Sequence, residues 1–272
     1  MSAGMKSVPG LLRRAQGKYQ RLTAQHLSRR PFTINSDVPI VSFTFDDFPR
    51  SALLTGGAIL RSLGVHGTYY VSLGLMGKQI ETGAMFVEED LRNVFEQGHE
   101  IGCHTFSHSP AWETSPAEFE REIVANQHAL KRVLPTASFS SMSYPISNPR
   151  AQTKRRSGKY FACCRGGGQT FNAGRTDLNY LSAYFIEQAR ETPQAIKDVI
   201  DATCRANGWL ILATHDIAEQ PTRWGCTPQL FDDIARYATK SGARVMPVMT
   251  AFEYLSINSS AIRTGSRPAR QH

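Results

Sequence analysis

Two histidines and two aspartates are the residues of this chain best suited to chemistry. His104 and His108 lie four residues apart in GHEIGCHTFSH, a segment that begins at Gly98. On a helical turn this spacing puts both rings on one side, where their nitrogens can reach one ion. Asp46 and Asp47 end an apolar run typical of a buried strand, and they offer an oxygen ligand. A histidine pair alone also arises by chance, but the aspartates favour a metal site.

Two imidazoles and one carboxylate leave an open position on a tetrahedral ion, as in a catalytic zinc site. We expect Zn²⁺, although Co²⁺, Ni²⁺ and Mn²⁺ also accept nitrogen and oxygen ligands. Successive strand residues point to opposite sides, so only one of Asp46 and Asp47 should bind the ion. The other could take a proton from a water whose pKa the ion lowers to about 7. The predicted reaction is hydrolysis of an amide or ester.

A third histidine, His215, ends the apolar segment WLILATHD far along the chain. From the end of a strand it could protonate the leaving group as a general acid. A core histidine bonded to the backbone would give the same pattern. The metal-site candidates elsewhere in the chain favour the catalytic role.

Strands and helices alternate from about Val38 onward. Apolar runs such as PIVSFTFDD and HGTYYVS predict strands, and SPAEFEREIVANQHALKRVL predicts a helix with a serine cap and proline at its first position. The alternation predicts an α/β fold with a mainly parallel sheet of about seven units, enough to close a barrel. Asp46, Asp47, His104 and His215 all end predicted strands, where such barrels assemble active sites.

The positive charge of the chain lies at its two ends. The 272 residues carry a net charge of +8, yet residues 1–37 hold seven Lys/Arg against one acid and residues 257–272 hold three Arg and no acid. Residues 38–256 therefore have a net charge of −1. We expect a weakly structured basic lead-in over 1–37, one catalytic domain over 38–256, and a basic tail over 257–272. No nucleic-acid partner is expected, and weak contact of the ends with anionic surfaces is the alternative.

A second basic cluster lies inside the domain. Its spacing suits the exposed face of a short helix, with a phosphate contact as the alternative. Its members are Arg150, Lys154, Arg155, Arg156 and Lys159.

No segment predicts export or membrane insertion. Basic residues interrupt the first 37 positions, and no apolar run of about 18 residues follows. The five cysteines form no CxxC pair, so we expect no disulfide framework and interpret Cys103, Cys163 and Cys164 as small buried residues. The expected location is cytoplasmic, and the oligomeric state is not indicated.

Four motifs together resemble a known family. TFDD, HTFSH, SYP and LILATHD, in this order over about residues 38–250, are similar to motifs of the polysaccharide deacetylases of carbohydrate esterase family four, which include chitooligosaccharide deacetylases. The resemblance implies a distorted (β/α)₇ barrel that removes acetyl groups from N- or O-acetylated sugars. It also implies that Asp46 is the base and that Asp47 binds the metal with His104 and His108.

The resemblance implies roles for the later motifs as well. The backbone N–H of Tyr144 would be the oxyanion donor, a contribution worth roughly 2.7 to 4 kcal/mol in the barrier. His215 would be the acid, Leu212 would form a wall for the acetyl methyl group, and Pro145 would contact the substrate.

The chain departs from the family in two motifs. The family's third motif carries an arginine that orients the base, whereas this chain has Ser140, Ser141, Met142 and Ser143 there. We predict that Arg165, at the end of the next strand, replaces that arginine. The fourth motif, an aspartate–tryptophan pair that tunes the acid histidine, is unclear, and Asp177 is the nearest candidate. These departures favour a soluble oligosaccharide or a glycolipid precursor over peptidoglycan or chitin.

Two other functions are compatible with the motifs. The same barrel could hydrolyse a formamide, a cyclic ureide or another non-sugar amide, which release of formate would distinguish from release of acetate. Alternatively, the chain could be a metal-anchored sugar-binding protein. Asp46 and His215 argue against that alternative, because binding alone needs neither a base nor an acid.

Overall fold

The computed structural model describes residues 10–263. The strands in this range are β1 (Pro31–Ile34), β2 (Ile40–Phe45), β3 (Thr68–Val71), β4 (Gln79–Ile80), β5 (Gly83–Ala84), β6 (Glu100–Cys103), β7 (Ser141–Ser143), β8 (Cys163–Arg165), β9 (Gly174–Asp177), β10 (Tyr184–Phe185), β11 (Trp209–Thr214) and β12 (Arg244–Val245). The α-helices are α1 (Gly10–His26), α2 (Ala58–Ser62), α3 (Glu88–Glu96), α4 (Pro116–Val133), α5 (Ala151–Ser157), α6 (Pro193–Arg205), α7 (Pro228–Lys240) and α8 (Val248–Arg263). A π-helix, Ala52–Gly57, precedes α2, and 3₁₀ turns cover Leu73–Leu75 and Ile186–Ala189.

One parallel sheet of eight strands forms the body of the protein. Seven strands follow the order β10-β11-β2-β3-β6-β7-β8, and β12 pairs with β2. Strands β10 and β8 are the two ends of this order. Residues 178–181 lie in the gap between them, and Leu181 forms an isolated parallel bridge with Arg165 of β8. The sheet forms a half-barrel, so the predicted distorted (β/α)₇ fold is confirmed.

Strands β2 and β11 are completely buried. Their sequences, IVSFTF and WLILAT, are mainly apolar, since helices or other strands cover both faces of the sheet, although Ser42 and Thr44 lie on one face of β2. Phe43 and Phe45 of β2 pack on Phe231 of α7, with ring centroids 5.4 and 5.6 Å apart. The predicted cap of α4 is present, since the Ser115 hydroxyl accepts a hydrogen bond from the Glu118 N–H.

The region before Val38 is more structured than the sequence predicts. Residues 10–26 form α1, and β1 pairs antiparallel with β9. Arg30 fastens this region to the barrel, since its guanidinium donates to the carbonyls of Gly158, Phe161 and Ala162. Pairing with a strand distant in sequence supplies the order that local periodicity does not indicate.

The basic cluster is not wholly exposed as predicted. Lys154 is fully buried, and its ammonium group donates to the carbonyls of Ala24 and Leu27 and to Asp177 Oδ2. The predicted exposed face is therefore wrong for Lys154, because α1 packs over it.

The predicted boundary at residue 257 falls within α8, which continues to Arg263. Residues 1–9 and 264–272 lie outside the described residues, and their contact with anionic surfaces stays a prediction. Cys103, Cys163 and Cys164 are buried free thiols, as predicted. No helix within residues 10–263 has the length and apolar character that crossing a membrane requires.

Candidate metal centre and active site

The carboxyl ends of three strands meet at one cavity of about 660 Å³. Asp46 and Asp47 follow β2, His104 follows β6, and His215 follows β11, and all four line the cavity. In a parallel sheet these ends share one edge, which is why residues far apart in the chain converge here.

The turn after β2 separates the two aspartates. Asp47 and Phe48 both adopt positive φ, 62° and 63°, which is uncommon for residues other than glycine. Phe48 is fully buried and stacks on Phe86, with ring centroids 5.0 Å apart, so packing holds the strained turn. As a result Asp46 points towards Arg165, and Asp47 points towards the two histidines.

Asp47, His104 and His108 form the candidate metal centre. One ligand atom from each lies within 4.8 Å of the others. Asp47 Oδ1 is 3.6 Å from His104 Nε2 and 3.1 Å from His108 Nε2. Asp47 Oδ2 accepts a hydrogen bond from the Thr82 hydroxyl at 3.2 Å, so the carboxylate is held in place by the segment between β4 and β5.

The donor atoms of this centre fit a divalent cation. His104 Nδ1 lies 2.8 Å from the Ser143 carbonyl and must donate to it, which leaves a lone pair on Nε2. Burial lowers the pKa of His104 to about 4, so the ring is neutral near pH 7. Asp47 Oδ1 is buried and makes no hydrogen bond with any described residue. A lone pair facing a carboxylate oxygen is repulsive unless a cation lies between them, and these are ligands that Zn²⁺ accepts.

The two histidines do not share a helical turn, and that prediction is wrong. Residues 104–108 form an irregular loop in which Thr105 and His108 have φ of 63° and 57°. Gly74 makes room for the loop, because a Cβ there would lie 2.6 Å from the Phe106 carbonyl oxygen. The rings meet through loop geometry, with centroids 5.0 Å apart.

Arg165 contacts Asp46, as the sequence predicts. Its guanidinium donates to Asp46 Oδ1, to the Ser143 hydroxyl at 2.6 Å and to the Gly166 carbonyl at 3.1 Å. The group also lies over the Tyr70 and Phe185 rings. An arginine on β8 thus reaches the side chain at the end of β2 from across the barrel.

The surroundings of Asp46 keep it ionised. Burial by itself would raise the pKa of Asp46, but Arg165, with smaller contributions from His104 and His215, holds it well below its usual range. Both Arg165 and Asp46 are almost inaccessible to solvent, with side chains 1% and 6% exposed. The carboxylate is therefore charged and fixed in direction when a ligand enters the cavity.

His215 is held by the loop that follows it. Its Nδ1 lies 3.1 Å from the Trp224 carbonyl oxygen, which leaves Nε2 for the cavity. The loop is organised by Asp216, whose carboxylate accepts hydrogen bonds from the N–H and the hydroxyl of Thr222. A backbone carbonyl occupies the position next to the histidine where an acidic side chain was expected.

Asp177 does not reach His215. Its carboxylate pairs with Lys154 at 2.7 Å and accepts hydrogen bonds from the backbone N–H groups of Arg30 and Asn179. The predicted tuning role of Asp177 is therefore wrong, because β9 pairs with β1 and directs this residue to the N-terminal region.

The structure also differs from the roles that the resemblance implies for Tyr144, Pro145 and Leu212. The N–H of Tyr144 donates to the Arg165 carbonyl at 3.0 Å as part of the sheet, so it cannot bind an oxyanion. Pro145 is buried, and Leu212 lies in the core of β11 with no exposed surface; neither lines the cavity. The N–H of Ile146 makes no hydrogen bond within the described residues, and this residue lines the cavity with φ of 60°.

Sequence reasoning missed four residues of the site. Thr82 and Ser143 contact other groups of the site, and Ile146 lines the cavity, at positions that no local pattern indicates. The fourth, Glu187, stands in the apolar segment AYFIEQA, and a single acid among apolar residues was a signal that could have identified it.

Residues 33–160 match the family model described as polysaccharide deacetylase. The match includes the motifs with Asp46, Asp47, His104 and His108, and it confirms the resemblance to that family. Members of this family are metal-dependent hydrolases of carbon–nitrogen bonds other than peptide bonds, so the predicted enzyme class is confirmed at that level. His215 lies beyond the matched range. No curated protein matches the chain at a significant level.

Solved structures share the fold. The peptidoglycan deacetylase PdaC from Bacillus subtilis is 18% identical, with 85% of this chain and 98% of that chain covered and a TM-score of 0.54. The Xyl-CE4 domain of a multidomain xylanase from the hindgut metagenome of Trinervitermes trinervoides is 16% identical, with 87% and 96% covered and a TM-score of 0.56. BA3943, a CE4 family pseudoenzyme from Bacillus anthracis, is 12% identical, with 81% and 67% covered and a TM-score of 0.57. At these identities the likeness shows the fold alone.

Proposed function

We propose that this chain, which carries a polysaccharide deacetylase sequence over residues 33–160, is a metal-dependent enzyme that removes the acetyl group from an N-acetylated sugar or short oligosaccharide of the chitooligosaccharide kind. Asp47, His104 and His108 would hold the metal, with Zn²⁺ as the expected ion. The cytoplasmic location predicted from the sequence stays a prediction.

One observation carries the proposal. Two neighbouring aspartates have different partners in one cavity. Asp47 lies beside the histidine pair, and Asp46 pairs with a buried arginine. His215 lies in the same cavity. A binding protein needs a metal anchor, but it does not need an ionised, oriented carboxylate and a histidine beside it.

The residues divide the proposed reaction between them. A bound divalent ion would lower the pKa of a water molecule and polarise the acyl oxygen. Asp46 accepts a proton from the attacking water, and Arg165 fixes the direction of its carboxylate. The free N–H of Ile146, in place of that of Tyr144, donates to the oxygen that becomes negative. His215 then protonates the leaving amine.

The rim of the cavity supports a short substrate. Glu81, between β4 and β5, and Arg223, in the loop after β11, form an ion pair at 3.0 Å, and both line the cavity. The two segments therefore meet at the rim. Ile146 and Trp224 add exposed apolar surface there. A chain end or a short oligosaccharide suits this shape better than the middle of a long polymer.

The test is acetate release from N-acetylglucosamine oligomers by purified protein, with Zn²⁺ or Co²⁺ added and after chelation. We expect activity that requires metal. His215→Ala should lower kcat by roughly 10²- to 10⁴-fold, since it removes a general acid. The exposed His128 of α4 offers a matched control, because His128→Ala changes a histidine far from the site.

The other outcomes are informative. Release of formate from formylated amides, with no acetate from sugars, would move the function to the non-sugar alternative. Metal bound by the wild type without turnover of any amide would support the sugar-binding alternative. Failure to bind any metal would contradict the assignment of Asp47, His104 and His108.

A further inference from the structure

Glu187 is an acidic residue in the cavity that the proposed reaction does not use. It lies in the 3₁₀ turn Ile186–Ala189 directly after β10, the strand that pairs with β11. Its side chain lines the same cavity as Asp46 and His215, although the residue is only 9% exposed. It therefore belongs to the wall of the site and not to the outer surface.

One carboxyl oxygen of Glu187 lacks a hydrogen-bond partner within the described residues. Its Oε2 is buried and makes no hydrogen bond within residues 10–263, and no ion pair includes it there. Arg165, a cation whose charge acts on Glu187, is hydrogen-bonded to Asp46, Ser143 and Gly166 instead. A buried polar atom without a partner is destabilising, and because Glu187 also lines the cavity, a ligand bound there can supply the missing bond.

The surroundings of Glu187 favour its uncharged form. Burial raises its pKa to about 8; the charges of Asp46 and Asp216 act in the same direction, and Arg165 opposes them. Near neutral pH the group is mainly a carboxylic acid, with one O–H donor and remaining acceptor oxygens. A hydroxyl group has the matching combination of donor and acceptor without charge, whereas an anion would be repelled by Asp46.

We propose that Glu187 is a substrate-binding residue whose carboxyl group forms a hydrogen bond with a ring hydroxyl of the sugar that carries the acyl group. The inference rests on the proposed deacetylase function and adds to it a contact that selects a polyhydroxylated substrate. A site built to bind a hydroxyl rejects analogues that lack it, because the polar group of the protein is then left buried and unpaired.

The experiment compares kcat/KM for an N-acetylglucosamine disaccharide with kcat/KM for analogues that each lack one ring hydroxyl of the acetylated unit. For wild-type protein we expect one analogue to react about 10- to 100-fold more slowly than the parent. Glu187→Leu should lose a similar factor on the parent and little more on that analogue. Glu187→Gln, which keeps the shape, a donor and an acceptor, should restore most of the loss. Glu191→Gln is the matched control, since Glu191 is 91% exposed.

A structural role for Glu187 would give a different result. Glu187→Leu would then slow the parent and every analogue by the same factor, and that outcome would overturn the inference while leaving the deacetylase function intact. If metal-loaded wild-type protein releases no acetate from any sugar, the proposed function fails first, and the inference fails with it. Thermal unfolding of each variant confirms that it is folded at the assay temperature.

Discussion

Two buried ion pairs of the same chemical type serve different regions of this protein. Arg165 and Asp46 are 1% and 6% exposed and face the cavity. Lys154 and Asp177 are 0% and 6% exposed and lie under α1. Both pairs bury a cation and a carboxylate, yet only the first pair lies beside a cavity in which other side chains could act on a ligand.

The partners of each cation explain the difference. Lys154 binds two backbone carbonyls of the N-terminal region besides Asp177, so its effect is to hold α1 against α5. Arg165 binds the carboxylate of Asp46, which lines the same cavity as His215. A buried ion pair is therefore not in itself a sign of function, and what decides is whether one partner borders a cavity.

Removing the carboxylate charge of each pair should separate the two regions most clearly. Asp46→Asn should lower kcat by roughly 10²- to 10⁴-fold, because the proposed base is lost. Asp177→Asn should leave kcat of the folded protein unchanged. Both variants should unfold at lower urea concentration, since each leaves a buried cation unpaired. Acetate release and urea unfolding measure the two effects, and equal kcat losses would remove the distinction.

Removing the cation under α1 should reduce stability without affecting the reaction. Lys154→Met leaves Asp177 buried and unpaired, and we expect a loss of about 3 to 5 kcal/mol in the free energy of unfolding. The double variant Lys154→Met with Asp177→Asn should recover part of this loss, because no buried charge remains and the amide oxygen can still accept from the N–H groups of Arg30 and Asn179. If the double variant is no more stable than the single one, charge burial is not the cause.

The region beside the cavity should lose stability in acid because of His104. His104, beside the cavity, has a folded-state pKa of about 4, below its unfolded value of 6.5, so the unfolded chain binds more protons between these values. In metal-free protein His104 should therefore make stability fall as pH drops from about 6.5 to about 4, by about 3 kcal/mol in total. Urea unfolding at several pH values measures this, and His104→Asn should flatten the dependence. A variant that follows the wild-type curve would contradict the origin in His104.

The smallest expected effect concerns the geometry of the ion pair between Arg165 and Asp46. Arg165→Lys keeps the positive charge but cannot reproduce the guanidinium contacts with Asp46, Ser143 and Gly166. We expect kcat to fall about ten-fold, or about 1.4 kcal/mol in the barrier, with metal still bound. Arg165→Ala should lose more, and full activity in that variant would show that Asp46 needs no orienting partner.

The sequence by itself determined the fold class and the residues of the candidate metal site. Apolar runs such as those of β2 and β11 are buried on both faces, and that local property is visible in composition. Because parallel strands end at a common edge, Asp46, Asp47, His104 and His215 could be expected to meet without knowledge of the full fold. Arg165 was predictable for a related reason, since it ends the strand after the one where the family's arginine is missing.

Tertiary structure decided the contacts that depend on pairing between distant segments. The pairing of β1 with β9 sends Asp177 to Lys154 instead of His215. A sheet hydrogen bond occupies the N–H of Tyr144, whereas the N–H of Ile146 has no partner in the described part of the chain. The role proposed for Glu187 depends on its burial, which removes it from water and leaves Oε2 without a partner among residues 10–263. Each of these outcomes depends on which groups lie nearby in space, and periodicity and spacing carry no information about that.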